Sequence, residues 1–187
     1  MKFTGKARIL LPDGKSYEGD LVNDKPNGFG TMTFANYDLY EGYWVDGEMS
    51  GIGKYHFYDM KSDKFRAHYE GEFKYSKFNG FGKYVYKDKS IYCGQWVDGK
   101  KEGYGQLYKS SGDVIVGLWT DDSLKRGSYE FEDGSRYVGD FINGLFDGFG
   151  TFFSKEGTIL QGLWKNNIII EGYQYSLDGN MSKIETP

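Results

Sequence analysis

The side chains with catalytic potential are few in this chain of 187 residues. It contains two histidines, His56 and His68, and one cysteine, Cys93. The two histidines do not form an H-x-x-x-H or H-E-x-x-H pair, which is the spacing of a helical zinc site. A single cysteine excludes an intramolecular disulfide and a cysteine-based zinc cluster. Because no histidine recurs at a place complementary to Cys93, we expect a free thiol rather than a nucleophile.

Carboxylates are numerous, but they recur at a regular interval along the chain, as Glu18, Asp20, Glu41, Glu70 and Glu72 do. The acid pair of a glycosidase would be a unique constellation, whereas periodic carboxylates are typical of a solvated strand face. The G-x-G tripeptides also recur, five times intact, and they precede aromatic segments rather than the helix that follows a nucleotide-binding loop. The sequence therefore predicts a protein that is not an enzyme, with no catalytic residue, no cofactor and no metal site.

The composition favours an ordered, β-rich chain. Glycine contributes 28 residues and proline only 3, while 19% of the residues are aromatic. So much aromatic surface is unusual for a disordered chain, and glycine is costly in helices, so a helical bundle is disfavoured. The net charge is −4. A protein without a global positive field is not expected to bind nucleic acid.

The elements that must position all these residues follow a period of about 23 residues. The repeats start at residues 17, 40, 69, 92, 115, 137 and 160, with a glycine at the third position and a bulky apolar residue at the fifth. A G-x-G tripeptide follows in five of them. Position eight holds residue types that tolerate a tight turn, namely Asp24, Gly47, Ser76, Gly99, Asp122, Gly144 and Asn167.

Within a repeat, residues 1, 3 and 5 share one side of an extended segment, because side chains alternate with a period of two. Tyr40, Gly42 and Trp44 therefore point to one face. Return turns are predicted at sites such as Asp133-Gly134. Each repeat is then a β-hairpin, and the fold class is all-β, an elongated single-layer antiparallel meander. We interpret the glycines mainly as room for the large rings, with β-bulges as the alternative.

The repeat pattern, Y-x-G-x-(W/F)-x-x-G-x-x-x-G-x-G-x-x-x-(F/Y), resembles the MORN repeat (membrane occupation and recognition nexus). The clearest copies are YEGYWVDGEMSGIGKYHF and YCGQWVDGKKEGYGQLY. The fifth copy is one residue short and keeps only Gly127 of its G-x-G, and the seventh has lost the tripeptide. The resemblance implies an architectural protein, since many members belong to ciliary, radial-spoke, centriolar or other cytoskeletal assemblies, and some form dimers.

We predict three regions: a half-repeat cap at residues 1–16, seven repeats at 17–180, and an edge strand or tail at 181–187. The second repeat carries six additional residues near 58–68, expected to form a protruding loop or an extended hairpin. Its basic residues Lys61, Lys64 and Arg66 are a candidate contact for an acidic partner, and a merely solvated loop is the alternative.

The recurring rings suggest a protein-binding face. The candidate residues are Tyr40, Trp44, Tyr69, Phe73, Tyr92, Trp96, Trp119, Tyr137, Phe141 and Trp164. A second apolar row of opposite parity is formed by Phe29, Ile52, Phe81, Tyr104 and Phe149, and the sequence leaves open which face binds. We expect surplus apolar surface to bind an extended segment or an amphipathic helix of a partner protein.

The expected role is a cytoplasmic scaffold or adaptor, associated with a cilium or the cytoskeleton, and a homodimer is left open. The longest apolar run, Ile168 to Ile170, is far too short to cross a membrane, and the N-terminus lacks a secretory signal. The alternatives are a phosphoinositide-associated protein and a regulatory subunit of an enzyme in trans. Basic residues occur in pairs such as Lys125-Arg126 rather than in the larger clusters typical of lipid binding, which disfavours membrane lipid.

Overall fold

The computed structural model describes residues 2–186 as short strands joined by tight turns, and it divides into two compact units after Lys100. The first unit contains β1 (Gly5–Leu10), β2 (Ser16–Val22), β3 (Lys25–Thr33), β4 (Leu39–Val45), β5 (Glu48–Asp59), β6 (Lys64–Lys74), β7 (Lys77–Val85) and β8 (Ile91–Val97). The second contains β9 (Lys100–Tyr108), β10 (Val114–Thr120), β11 (Ser123–Glu130), β12 (Arg136–Ile142), β13 (Leu145–Phe153), β14 (Ile159–Lys165), β15 (Ile168–Tyr175) and β16 (Met181–Glu185).

Within each unit, every strand pairs antiparallel with the next strand of the sequence. This confirms the predicted all-β antiparallel meander. Among residues 2–186, no helix has the length and apolar character needed to cross a membrane.

The hairpin turns within the repeats share one geometry. At Asn166 and Asn167, both central residues have positive φ angles, 49° and 67°. The same pair of positive angles recurs at position eight of each repeat and at the residue before it. Positive φ at both central residues defines the type I′ turn, whose twist matches that of the adjoining strands. The return turns also hold one residue at positive φ, usually glycine, but Tyr37, Asp63 and Lys89 occupy this place in three of them.

A column of glycines runs across the strands of each unit, with one glycine on every strand from β2 to β8 and from β9 to β15. In the first unit it comprises Gly19, Gly30, Gly42, Gly53, Gly71, Gly82 and Gly94. In the second unit it comprises Gly105, Gly117, Gly127, Gly139, Gly150, Gly162 and Gly172. Directly opposed residues of antiparallel strands point to the same face of a sheet. The positions where the column glycines lack a side chain therefore all lie on one face.

The two glycines of each G-x-G have different roles, so both explanations of glycine hold, at different positions. The second glycine belongs to the column and makes room for a ring: a Cβ on Gly53 would lie 2.3 Å from the Tyr40 hydroxyl oxygen. The first glycine, such as Gly51 with φ of 69°, lies in a β-bulge where the register of β4 and β5 shifts after Gly42. This bulge turns Gly51 away from the face that Gly53 and Tyr55 share, although strict alternation of side chains would place all three on one face.

The additional residues of the second repeat form an extended hairpin, because β5 and β6 are 12 and 11 residues long. The predicted cap contains β1, and the predicted tail contains β16. Met1 of the cap and Pro187 of the tail lie outside the described residues.

Candidate functional site

The ten ring residues predicted to form a binding face are buried. Each of them is 5% exposed or less. Rings of successive repeats meet edge to face, with centroid distances of 4.9 Å between Tyr40 and Phe73 and 5.4 Å between Tyr137 and Trp164. We call this side of the sheet the packed face. The structure gives these side chains a role in the core; that they contact a partner stays a prediction, and their burial does not favour it.

Hydrogen bonds from the rings fix the packed face. The hydroxyl group of Tyr40 donates to the carbonyl oxygen of Tyr43 at 3.0 Å, and the first tyrosine of four other repeats makes the same bond three residues ahead. Each tryptophan donates its indole N–H to a column glycine fourteen residues earlier, as Trp44 does to Gly30 at 3.0 Å. Burial raises the pKa of Tyr17 and of Tyr137 to about 12, so these phenols remain protonated donors.

The opposite side, which we call the exposed face, carries the middle residue of each G-x-G. These residues form the exposed row, between 47% and 73% accessible: Phe29, Ile52, Phe81, Tyr104 and Phe149. Each belongs to a segment that the preceding bulge glycine reshapes. In two of these segments, a neighbouring carboxylate accepts a backbone hydrogen bond. Glu72 accepts the N–H of Phe81 at 2.9 Å, and Asp140 accepts the N–H of Phe149 at 3.2 Å. Some of the periodic carboxylates therefore position the exposed row.

In the second unit, the exposed face contains a groove of about 990 Å³. Column glycines line its floor, and apolar side chains form its walls. The apolar lining comprises Tyr104, Val116, Leu118, Val138, Phe149, Leu163, Tyr173 and Tyr175. Of these residues, only Tyr104 and Phe149 were predicted from the sequence to lie in an apolar row. The available signal was the fourth position of the repeats, where Leu118 and Leu163 have the same parity as the exposed row.

On the exposed face, the row of residues next to the glycine column differs in charge between the two units. In the first unit, this row on the exposed face reads Arg8, Glu18, Thr31, Glu41, Lys54, Glu70, Lys83. Its charges form ion pairs such as Lys54–Glu70 at 3.4 Å. In the second unit, the equivalent row contains no charged residue from β9 to β15: Gln106, Val116, Ser128, Val138, Thr151, Gln161, Tyr173. We call it the neutral row.

The basic residues of the extended hairpin are partly engaged within the chain. Arg66 pairs with Asp59 at 3.0 Å, and Lys87 reaches the same carboxylate oxygen at 3.0 Å. These cations, together with the backbone N–H of Lys61, hold the pKa of Asp59 below its usual value. The contact of Lys61, Lys64 and Arg66 with a partner stays a prediction.

The two histidines lie opposite each other on the exposed face, in direct cross-strand register with ring centroids 5.6 Å apart. Partial burial, together with the nearby Lys54 ammonium group, lowers the pKa of both imidazoles. Within residues 2–186, no group of three or more histidine, cysteine or acidic residues has the geometry of a metal site. Cys93 is a free thiol of intermediate exposure.

Comparison with protein families identifies these repeats. The family described as MORN repeat matches residues 17–39, 40–59, 69–91, 92–114 and 137–159, which together make up more than half of the chain. The five matches begin at five of the seven predicted repeat starts. The repeats that start at residues 115 and 160 are not among these matches, and both lack the first tyrosine, having Ile115 and Leu160 instead.

The proteins similar to this chain include two relatives and one solved structure. Alsin from Rattus norvegicus is 32% identical over 130 residues, covering 64% of this chain and 8% of Alsin. MORN repeat-containing protein 3 from Xenopus laevis is 32% identical over 82 residues, covering 43% of this chain and 34% of that protein. The matches thus span only a minor part of either relative. The TCP domain of SAS-4 from Drosophila melanogaster, solved in complex with a proline-rich motif of Ana2, has a TM-score of 0.53 at 13% identity and covers 97% of this chain and 90% of that domain.

Proposed function

We propose that this chain, which belongs to the MORN-repeat family, is a non-enzymatic scaffold whose exposed sheet face binds protein partners. The proposed setting is a ciliary assembly of the axonemal or radial-spoke type, or another cytoskeletal complex. The setting rests on the resemblance of the repeats to those of ciliary and cytoskeletal proteins, and the binding role rests on the exposed face.

The observation that carries the proposal is a surface row of large apolar side chains beside a core that is already complete. The packed face buries its rings and pairs their polar atoms, so the exposed row is not needed to close the core. Phe81, Tyr104 and Phe149 are each more than 60% accessible. Contiguous exposed apolar side chains on a folded protein mark interaction sites, and rigid aromatic residues are frequent hot spots of protein interfaces.

The similar SAS-4 domain supports a protein partner, because it was solved with a proline-rich motif of another protein. Its similarity in fold makes a bound peptide segment a reasonable partner for the exposed face here. We therefore favour recognition of an extended segment over that of a small molecule.

The test is capture of partners from ciliated cells by the wild-type chain and by a variant carrying Phe81→Ser and Phe149→Ser. Both side chains are exposed, so we expect the variant to keep the wild-type circular dichroism spectrum and melting temperature. The expected result is loss of ciliary or cytoskeletal proteins from the captured set. Equal recovery of these proteins by both chains would contradict the proposal.

A matched control separates binding from folding. Trp96→Ala removes a buried ring and an indole hydrogen bond to Gly82 of 3.2 Å, so it destabilises the fold instead of the surface. If Trp96→Ala loses capture and also has a lower melting temperature, the loss is explained by destabilisation of the core and does not bear on the exposed face. Flotation with anionic vesicles tests the lipid alternative, and strong binding that weakens with salt would favour it over a protein partner.

A further inference from the structure

We infer that the groove of the second unit binds an uncharged segment in the polyproline II conformation, with proline or a similar compact residue at every third position. This inference rests on the proposed function and specifies its ligand. It follows from the hydrogen bonding of the strands, the spacing of the exposed row and the neutral row.

The strands of the groove cannot accept a partner as an additional strand. Each strand from β10 to β15 pairs with a neighbour on both of its sides. Their backbone groups are therefore committed to the sheet, and a ligand lying over the groove must be recognised through side chains. A polyproline II segment meets this condition, because its backbone makes no internal hydrogen bonds and stays solvated.

The spacing of the walls matches the polyproline II repeat. Equivalent positions of successive repeats lie two strands apart, which is about 9.6 Å at ~4.8 Å per strand. Three residues of polyproline II advance by about 9.3 Å, so each turn meets an equivalent part of the next repeat. Tyr104 on β9 and Phe149 on β13 are four strands apart, or about 19 Å, which corresponds to six residues of such a segment. An α-helix would need about 13 residues and would not return to the same face after one repeat.

The charge distribution favours an uncharged ligand. The neutral row offers no counter-charge from β9 to β15. Two charged residues line the groove outside this row: Arg126, whose guanidinium group is paired with Asp140 at 3.6 Å, and the exposed Glu171 on β15. A charged ligand side chain lying over this row would lose hydration without gaining an ion pair. Aromatic walls, here Tyr104, Phe149 and Tyr173, are the usual environment of bound proline-rich segments.

The test uses three labelled synthetic peptides of 13 residues and fluorescence anisotropy with the full chain. The first has proline at every third position and uncharged residues between, the second has the same composition with the period broken, and the third carries glutamate at two intervening positions. We expect the first to bind, and each of the others to bind about tenfold more weakly or worse. Equal binding of the periodic and broken peptides, or no binding of the periodic peptide, would overturn the inference.

Two matched variants locate the site. Phe149→Ser removes a wall of the groove and should weaken binding about tenfold or more, as expected for an interface hot spot. Tyr75→Ser removes an exposed ring of the first unit, 70% accessible, that lies in a hairpin turn outside the exposed row, and its binding should stay within about twofold of wild type. Equal losses in both variants would refute the placement in the groove.

The outcome for the peptide and the outcome for cellular capture are separable. If the periodic peptide fails to bind while Phe149→Ser still abolishes capture from cells, the scaffold proposal stands and the inferred ligand class is wrong. If a helical peptide that lacks proline displaces the periodic one, the groove accepts helices and the inference is also wrong.

Discussion

The replacement Gly53→Ala tests whether the column glycines exist to make room for rings. The backbone of Gly53 is not at positive φ, so alanine causes no conformational strain there. Its Cβ, however, would lie 2.3 Å from the Tyr40 hydroxyl oxygen and 2.5 Å from two ring carbons. These atoms cannot withdraw easily, because the ring is completely buried and packs edge to face against Trp44 at 5.0 Å and Phe73 at 4.9 Å.

The expected cost combines two effects. Displacing a buried ring from a well-packed core costs about 1–3 kcal/mol. Movement of Tyr40 also breaks its 3.0 Å hydrogen bond to the Tyr43 carbonyl oxygen, which contributes about 1 kcal/mol. We therefore expect Gly53→Ala to lower the free energy of unfolding by about 3 kcal/mol.

The assay is urea-induced unfolding followed by tryptophan fluorescence, with Gly47→Ala as the control. Gly47 has φ of 89° in a hairpin turn, and the nearest atom to an added Cβ is 4.0 Å away. Backbone strain alone should cost about 1 kcal/mol there. If backbone strain governed the glycines, the order of the two variants would be reversed. A cost for Gly53→Ala at or below that of Gly47→Ala would therefore refute the reasoning.

A double replacement identifies the ring as the cause. Tyr40→Ala removes all three atoms nearest to the added Cβ of Gly53→Ala. The combined variant should be more stable than the sum of the single effects predicts, by about 2 kcal/mol. Additive effects would mean that the added methyl group clashes with something other than the ring.

Three further predictions concern other parts of the sheet. Lys89→Gly should raise the free energy of unfolding by up to about 1 kcal/mol, because Lys89 has φ of 72° in a return turn; urea unfolding measures it. Tyr137→Phe should lower the free energy of unfolding by about 1 kcal/mol, because it removes the 3.2 Å hydrogen bond to the Asp140 carbonyl oxygen. The far-ultraviolet circular dichroism spectrum should not change. The lowered pKa of His56 and His68 means that the unfolded chain binds more protons, so their contribution to stability is present above about pH 6.5 and is lost as the pH falls through the folded pKa. Urea midpoints at pH 7.5 and 5.5 should therefore differ less in the His56→Thr, His68→Thr variant than in wild type.

The strand pattern was readable from the sequence because the repeat supplies many copies of the same local signals. Position eight predicted the turns, and each of its seven residues has positive φ in the structure. Tyr37 and Lys89 could not be recognised as return-turn residues, because neither is a residue type that prefers positive φ. Their conformation is imposed by the strands on either side.

Parity placed the rings correctly but did not decide which face would be buried. Each repeat has apolar residues of both parities, for example Phe81 and Tyr84 on β7, so hydrophobicity favoured neither side. The deciding quantity is the space beside the column glycines, which only the packed face offers. A ring that fills this space, as Tyr69 does over Gly71 and Gly82, already has its packing partner. The shared parity of the glycines and the tyrosines in the sequence already indicates this packing. The predicted binding face nevertheless consisted of the same rings.

The G-x-G tripeptide links the core of this sheet to its surface. Its first glycine forms the bulge, its second makes room for the tyrosine, and its middle residue is left on the exposed face. Where the first tyrosine is replaced, at Ile115 and Leu160, the first glycine is lost too, and the register after the column glycine shifts by one residue fewer. The bulge and the tyrosine hydroxyl bond therefore form one structural unit. Because this unit constrains only the two glycines, the middle residue is free to vary, and it is there that binding specificity can change without cost to the core.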